Sequence, residues 1–131
     1  MIAALADLAE DEVFDLVVVG SGAAGLAAAL FAALEGGRVL LGERTEWLGG
    51  TTALSAATTW VPGNRLSASV NPDDDRAAAA RFLDGVVGDH APKALREAFL
   101  DAGPSAIDRL ERDSEVRFRP YATHPDYEQQ V

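Results

Sequence analysis

One stretch constrains the fold more than any other: a short apolar run that ends in glycines. Phe14-Asp15-Leu16-Val17-Val18-Val19 is rich in β-branched residues and closed by glycine, the pattern of a buried parallel strand. Gly20-Ser21-Gly22-Ala23-Ala24-Gly25 follows without a break. Leu26 to Leu34 then reads as an Ala- and Leu-rich helix, and Gly36-Gly37 stands where a left-handed cap is expected. Arg38 to Leu41 reads as a second strand, with Glu43 just past its end. Crossovers of this kind are right-handed and join parallel strands. The pattern therefore predicts an α/β fold built on a Rossmann-type β-α-β unit.

The glycines at 20, 22 and 25 form G-x-G-x-x-G in the context the motif requires, after a strand and opening a helix. The first glycine allows a tight turn, the second lets backbone approach a pyrophosphate, and the third lets helix and strand pack closely. Ala23 and Ala24 open the helix, whose free N–H groups and dipole favour phosphate. Glu43 lies eighteen residues beyond Gly25. A carboxylate there accepts hydrogen bonds from both ribose hydroxyls of an adenosine and repels a 2′-phosphate. Arg44 beside it has the opposite leaning, as a 2′-phosphate ligand, and the acid is given more weight. These elements leave NAD and FAD both open. Leu48-Gly49-Gly50-Thr51-Thr52-Ala53 then adds a second glycine pair with hydroxyls soon after the acid. Its amides and threonines would grip a pyrophosphate from the other side, which favours FAD. Trp47, Leu48, Trp60 and Val61 are costly to leave in solvent and argue against a loose surface loop.

Residues 44–71 are rich in Gly, Thr and Ser and too long for a casual connector. Beyond them Asn71 is expected to cap a helix with Pro72 in its first position and acids in its first turn. Pro92 to Ala102 and Pro104 to Arg112 read as two helices split at Gly103-Pro104, and Val116 to Arg119 as a strand. The expected organisation is a lead-in over 1–13, a nucleotide-binding unit with its glycine- and threonine-rich loop over 14–71, and a helical segment opening a substrate-facing region over 72–131. A doubly wound sheet needs at least a third parallel strand, and none is evident. The fold is expected to be incomplete in this chain, which ends in what reads as a loop.

Composition removes several function classes. The net charge is −10 and the pI near 4.4, which disfavours nucleic acid and anionic membrane surfaces as partners. With no cysteine there is no disulfide, thiolate metal site or redox-active Cys pair. No metal site is expected. The lead-in lacks a basic start and is broken by Asp7, Glu10, Asp11 and Glu12, unlike a signal peptide. No run approaches the roughly 20 apolar residues of a membrane span, so a cytoplasmic location is expected. His90 and His124 read as loop residues without catalytic roles.

FDLVVVGSGAAGLAAAL followed by VLLGERTEWLGGTTALSAATTWVPGN resembles the FAD domain shared by fumarate reductase flavoproteins and 3-ketosteroid dehydrogenases. Trp60-Val61-Pro62-Gly63-Asn64 resembles the ketosteroid branch more. The resemblance implies that Gly20, Gly22 and Gly25 form the dinucleotide turn and Glu43 the ribose acid. Gly50, Thr51, Thr52 and Ser55 would lie near pyrophosphate and flavin. It also implies a non-covalent flavin, since no histidine occurs between Glu43 and Trp60. There are two departures: Ala56-Ala57 where relatives often have glycine, and Gly42 where a bulkier apolar residue is usual. The tail FRPYATHPDY resembles the steroid branch too, and Tyr127 matches its active-site tyrosine better than Tyr121. A phenol there can stabilise an enolate or move a proton, or simply pack. The activity implied is removal of hydrogen from adjacent carbons of a small ketosteroid-like substrate, with hydride passing to flavin N5. A fumarate-reductase-like flavoprotein acting on small dicarboxylates and a non-catalytic adenine-nucleotide-binding module stand as alternatives. Oligomeric state is not legible.

Overall fold

The computed structural model describes residues 5–73 and 75–122, and the chain divides into two compact units, Met1–Thr58 and Thr59–Val131. In the first, a 3-10 turn at Leu5–Asp7 precedes β1 (Leu16–Val19), α1 (Ala23–Leu34), β2 (Val39–Gly42) and the single turn α2 (Gly50–Ala53). β1 and β2 pair in parallel, Leu16 beside Val39 and Val19 beside Gly42. They are the whole sheet among the described residues, so Val17 and Val19 stay exposed.

The expected β-α-β unit is present, with its elements displaced slightly. β1 begins at Leu16 because Phe14 and Asp15 serve a latch at the open end of the strand pair. Asp15 exchanges backbone and side-chain hydrogen bonds with Arg38, both of 2.8 Å. The Arg38 guanidinium lies 4.9 Å from the Phe14 ring centroid and pairs with Glu12. α1 starts at Ala23, inside the glycine motif, and ends at Leu34, and Gly36 just beyond it, at φ of +86°, is the left-handed cap anticipated. The Gly36 and Gly37 amides donate back to Ala33 and Ala32, closing the last carbonyls.

In the second unit, a 3-10 turn at Ser67–Ser69 leads to α3 (Arg76–Val86), a 3-10 turn at Gly88–His90 and α4 (Lys93–Asp113). Ala79, Leu100 and Ile107 are its buried apolar side chains among the described residues. Leu100 and Ile107, seven residues apart, share one face of α4. Trp60 meets Phe82 edge-on with centroids 5.5 Å apart and stacks near Phe99 at 6.1 Å. Arg96 ties the α3–α4 turn, donating to the Gly88 and Ala91 carbonyls and to Asp84.

Three expectations fail in this unit. The helix does not start at Pro72. The Asn71 amide is used 2.7 Å from the Ser67 carbonyl, closing the preceding turn, and Asp75 caps α3 by accepting from Ala78 N at 2.6 Å. The two helices expected on either side of Gly103-Pro104 are one, α4. Proline deletes one donor, but Leu100 and Ile107 are buried on both sides of it, and Ser105 Oγ donates to the Ala102 carbonyl at 2.9 Å. Gly103 is needed for packing, since a Cβ there would lie 2.8 Å from Val61 Cγ1. Val116 to Arg119 is not a strand. Its donors turn back on the end of α4, with Phe118 N 2.9 Å from Glu111 Oε1 and Arg117 Nη1 3.0 Å from the Glu111 carbonyl.

Candidate functional site

The strand register places the site. Because Val19 faces Gly42, the next residues on each strand, Gly20 and Glu43, emerge side by side at the carboxyl ends. Gly20 N donates to the Gly42 carbonyl at 2.7 Å, and φ of +94° at Gly20 turns the chain into α1. Gly25 lies against that turn so closely that a Cβ would sit 1.9 Å from the Gly20 carbonyl oxygen. Only glycine fits there. At Gly20 and Gly22, in contrast, a Cβ would meet nothing within 4 Å, so the turn opens onto free space. Gly22 caps α1 without a side chain, and the first-turn amides have no intrahelical acceptors.

Ser21, between the two open glycines, is fully buried. Its amide and hydroxyl donate to Glu43 Oε2 at 3.0 and 2.7 Å, and its hydroxyl accepts from Gly49 N at 2.9 Å. The other Glu43 oxygen, Oε1, accepts from Thr45 N at 3.1 Å and Thr45 Oγ1 at 3.2 Å. The Ser21 hydroxyl, then the Ser21 amide and the Thr45 amide, hold the Glu43 carboxyl at a pKa of about 2, against a weaker opposing effect of burial. The carboxylate is ionised at any physiological pH.

The second glycine pair folds onto the first. Gly49 has φ of +104° and a Cβ position only 2.6 Å from Ala53 Cβ. Gly50, at φ of +53°, approaches Gly22, with its Cβ position 3.5 Å from Gly22 Cα. Thr52 Oγ1 accepts from Ala23 N at 3.3 Å. Gly20, Gly22, Ala23, Gly25, Glu43, Gly50 and Thr52 are thus gathered in one place. Ala24, Arg44 and Thr51 are exposed nearby in the chain. Ser55 Oγ serves its own turn, donating to the Thr52 carbonyl at 2.8 Å and accepting from Ala57 N at 3.0 Å. Ala57 has φ of +55°, in the left-handed region. Tyr127 and His124 lie outside the described residues. Sequence reasoning missed Ser21 and Thr45 as members of the cluster. The available signal was a hydroxyl in the variable position of G-x-G, beside the strand end that carries the acid.

Residues 15–130 match the FAD binding domain family. The chain belongs to that family. Among relatives of this FAD domain, 4-oxocyclohex-2-ene-1-carboxylate 5-dehydrogenase of Sinomonas cyclohexanicum is 42% identical over 87% of this chain and 19% of its own length. A 3-oxosteroid 1-dehydrogenase of Mycolicibacterium smegmatis is 33% identical over 87% of this chain and 20% of its own. The crystal structure of the 3-ketosteroid-delta4-(5alpha)-dehydrogenase of Rhodococcus jostii, solved with 4-androstene-3,17-dione, superposes with a TM-score of 0.69 at 29% identity, over 82% of this chain and 23% of that one. The chain spans about a fifth of the length of the curated relatives it matches. FAD is accordingly the cofactor of this domain, and the resemblance to ketosteroid dehydrogenases holds. No helix among the described residues is long and apolar enough to cross a membrane.

Proposed function

We propose that this chain is the FAD-holding part of a flavin-dependent oxidoreductase that removes hydrogen from adjacent carbons of a cyclic ketone. The substrate class is a 3-ketosteroid or a smaller oxocyclohexane carboxylate, the two kinds of molecule named for its relatives. The observation that carries the reading is the ionised Glu43 carboxylate, fixed by Ser21 at the mouth of a glycine turn that opens onto free space. That arrangement fits the adenosine diphosphate of FAD. Glu43 would accept the ribose hydroxyls, and the glycines at 20, 22 and 25 with the amides of Ala23 and Ala24 would meet the pyrophosphate. Arg44 would flank the ribose. Gly50, Thr51, Thr52 and Ser55 would border the pyrophosphate and flavin from the second glycine loop.

When bound, the isoalloxazine supplies a two-electron acceptor at N5. The chain's own residues bind and orient, and they hold a fixed negative charge at the adenosine end, away from the redox centre. Residues 72–131 would lead toward the substrate, with the Tyr127 phenol as a candidate to move a proton or steady an enolate. FAD would be held without a covalent bond, since no histidine stands between Glu43 and Trp60.

The test is to purify the intact protein, precipitate it with acid, and present the native form with each class of ketone under exclusion of oxygen. Flavin should appear in the supernatant as FAD, and one ketone class should bleach its visible band. Flavin in the pellet overturns the non-covalent assignment. Bleaching by neither class overturns the substrate assignment.

A further inference from the structure

The four donors around Glu43 are not equivalent, and the difference assigns a role to a residue that contributes no surface of its own. A carboxylate offers about four lone-pair positions. Here all four are used, Oε2 by the Ser21 amide and hydroxyl and Oε1 by the Thr45 amide and hydroxyl. A ribose hydroxyl therefore has to replace one of them. A hydroxyl has a single proton to give. Thr45 Oγ1 has two acceptors for that proton, Glu43 Oε1 at 3.2 Å and the Trp47 carbonyl at the shorter distance of 2.9 Å. It can leave Oε1 without losing a partner. Ser21 Oγ has no such freedom. It is fully buried, it accepts from Gly49 N, and its one proton goes to Glu43 Oε2, with no second acceptor for it among the described residues. Withdrawing that bond would strand a buried donor, a costly outcome.

We infer that Ser21 is a positioning residue: it commits Oε2 of Glu43, turns Oε1 toward the ribose, and through Gly49 fixes the second glycine loop to the same carboxylate. This rests on the reading of Glu43 as the ribose acid. One hydroxyl then links the two glycine turns through the acid, so displacing Glu43 also loosens the loop at Gly49 and Gly50. The groups facing Glu43 are Ser21 from the β1–α1 turn and Thr45 from the following loop. Arg44 and Glu46, the charged residues flanking these, are exposed and take no part in lowering its pKa.

The experiment measures the FAD dissociation constant of the intact protein across pH for wild type, Glu43→Gln, Ser21→Ala and Thr45→Val. Ser21→Ala should weaken FAD by about tenfold or more, as for one lost hydrogen bond to a charged group. It should also raise the pH below which FAD is released, because the hydroxyl is the largest cause of the low Glu43 pKa. A merely structural role would weaken binding without moving that midpoint. Thr45→Val should cost far less than Ser21→Ala and leave the midpoint nearer wild type. Equal losses in the two variants, or an unmoved midpoint in Ser21→Ala, overturn the inference. Should Ser21→Ala not fold, Thr45→Val decides: a loss as large as that of Glu43→Gln overturns the inference, and a small loss supports it. Glu43→Gln without effect would instead overturn the ribose reading itself.

Discussion

The units Met1–Thr58 and Thr59–Val131 are held together by different kinds of interaction. In the first, the fully buried side chain among the described residues is a serine, and no residue of α1 is buried. Its geometry comes from backbone approaching backbone at Gly25 and from hydrogen bonds that converge on Glu43. In the second, Ala79, Leu100 and Ile107 fill an apolar interior beside the Trp60, Phe82 and Phe99 rings, and the Lys93–Glu97 pair lies at the surface. Apolar packing tolerates change by degrees, because neighbours relax. A carbonyl pressed against a glycine has nowhere to go. The first unit should therefore fail sharply and the second gradually.

The sharpest failure is expected at Gly25. With a Cβ position 1.9 Å from the Gly20 carbonyl oxygen, Gly25→Ala should exceed the usual overpacking cost of about 1–3 kcal/mol and abolish FAD binding. Denaturant unfolding and flavin content check this, and retained stoichiometric FAD would break the contrast between the units. Next is Leu100→Ala, at a residue only 5% exposed, which should cost about 2–5 kcal/mol. FAD affinity measured under native conditions should stay unchanged.

Much of the first unit was legible because its signals are local. FDLVVV, the glycine turn and the Gly36-Gly37 cap each act over a few residues, and β1, α1 and β2 all appear. The Ser21 bond to Glu43 joins residues 22 apart in sequence, and only the strand register brings them together. In the second unit, local signals misled where tertiary packing prevailed. Pro104 reads as a break, yet α4 runs through it with buried residues on both sides. Asn71-Pro72 reads as a helix start with acids in the first turn, yet the cap is Asp75, whose side chain accepts from Ala78 N. Val116 to Arg119 has strand composition but finds its partners at the end of α4 rather than on a neighbouring strand.

Acid should separate the units next. The Glu43 pKa is lowered from 4.5 to about 2 in the folded state. A depressed carboxyl stabilises the fold above its unfolded pKa, and that contribution is lost as pH falls through the folded value. Apo protein should therefore lose stability between about 4.5 and about 2, and Glu43→Gln should flatten the part of the profile due to this group. Denaturant titrations at several pH values check it, and identical profiles in the two proteins would contradict the assignment. The smallest effect is expected at Lys93, whose contact with Glu97 is 3.8 Å long and solvent-exposed. Lys93→Ala should change stability by no more than about 0.5 kcal/mol, and a clearly larger thermal shift would mean that surface charge does more in the second unit than its geometry allows.

In the proposed function, Glu43, held by Ser21, reads the adenosine end of FAD. The most direct measurement compares binding of FAD and of FMN, which lacks the adenosine, to the intact wild-type protein and to Glu43→Gln. Glu43→Gln should weaken FAD by about tenfold or more and leave the weaker binding of FMN as it was. An unchanged FAD affinity, or an equal loss for both flavins, would contradict that reading of Glu43.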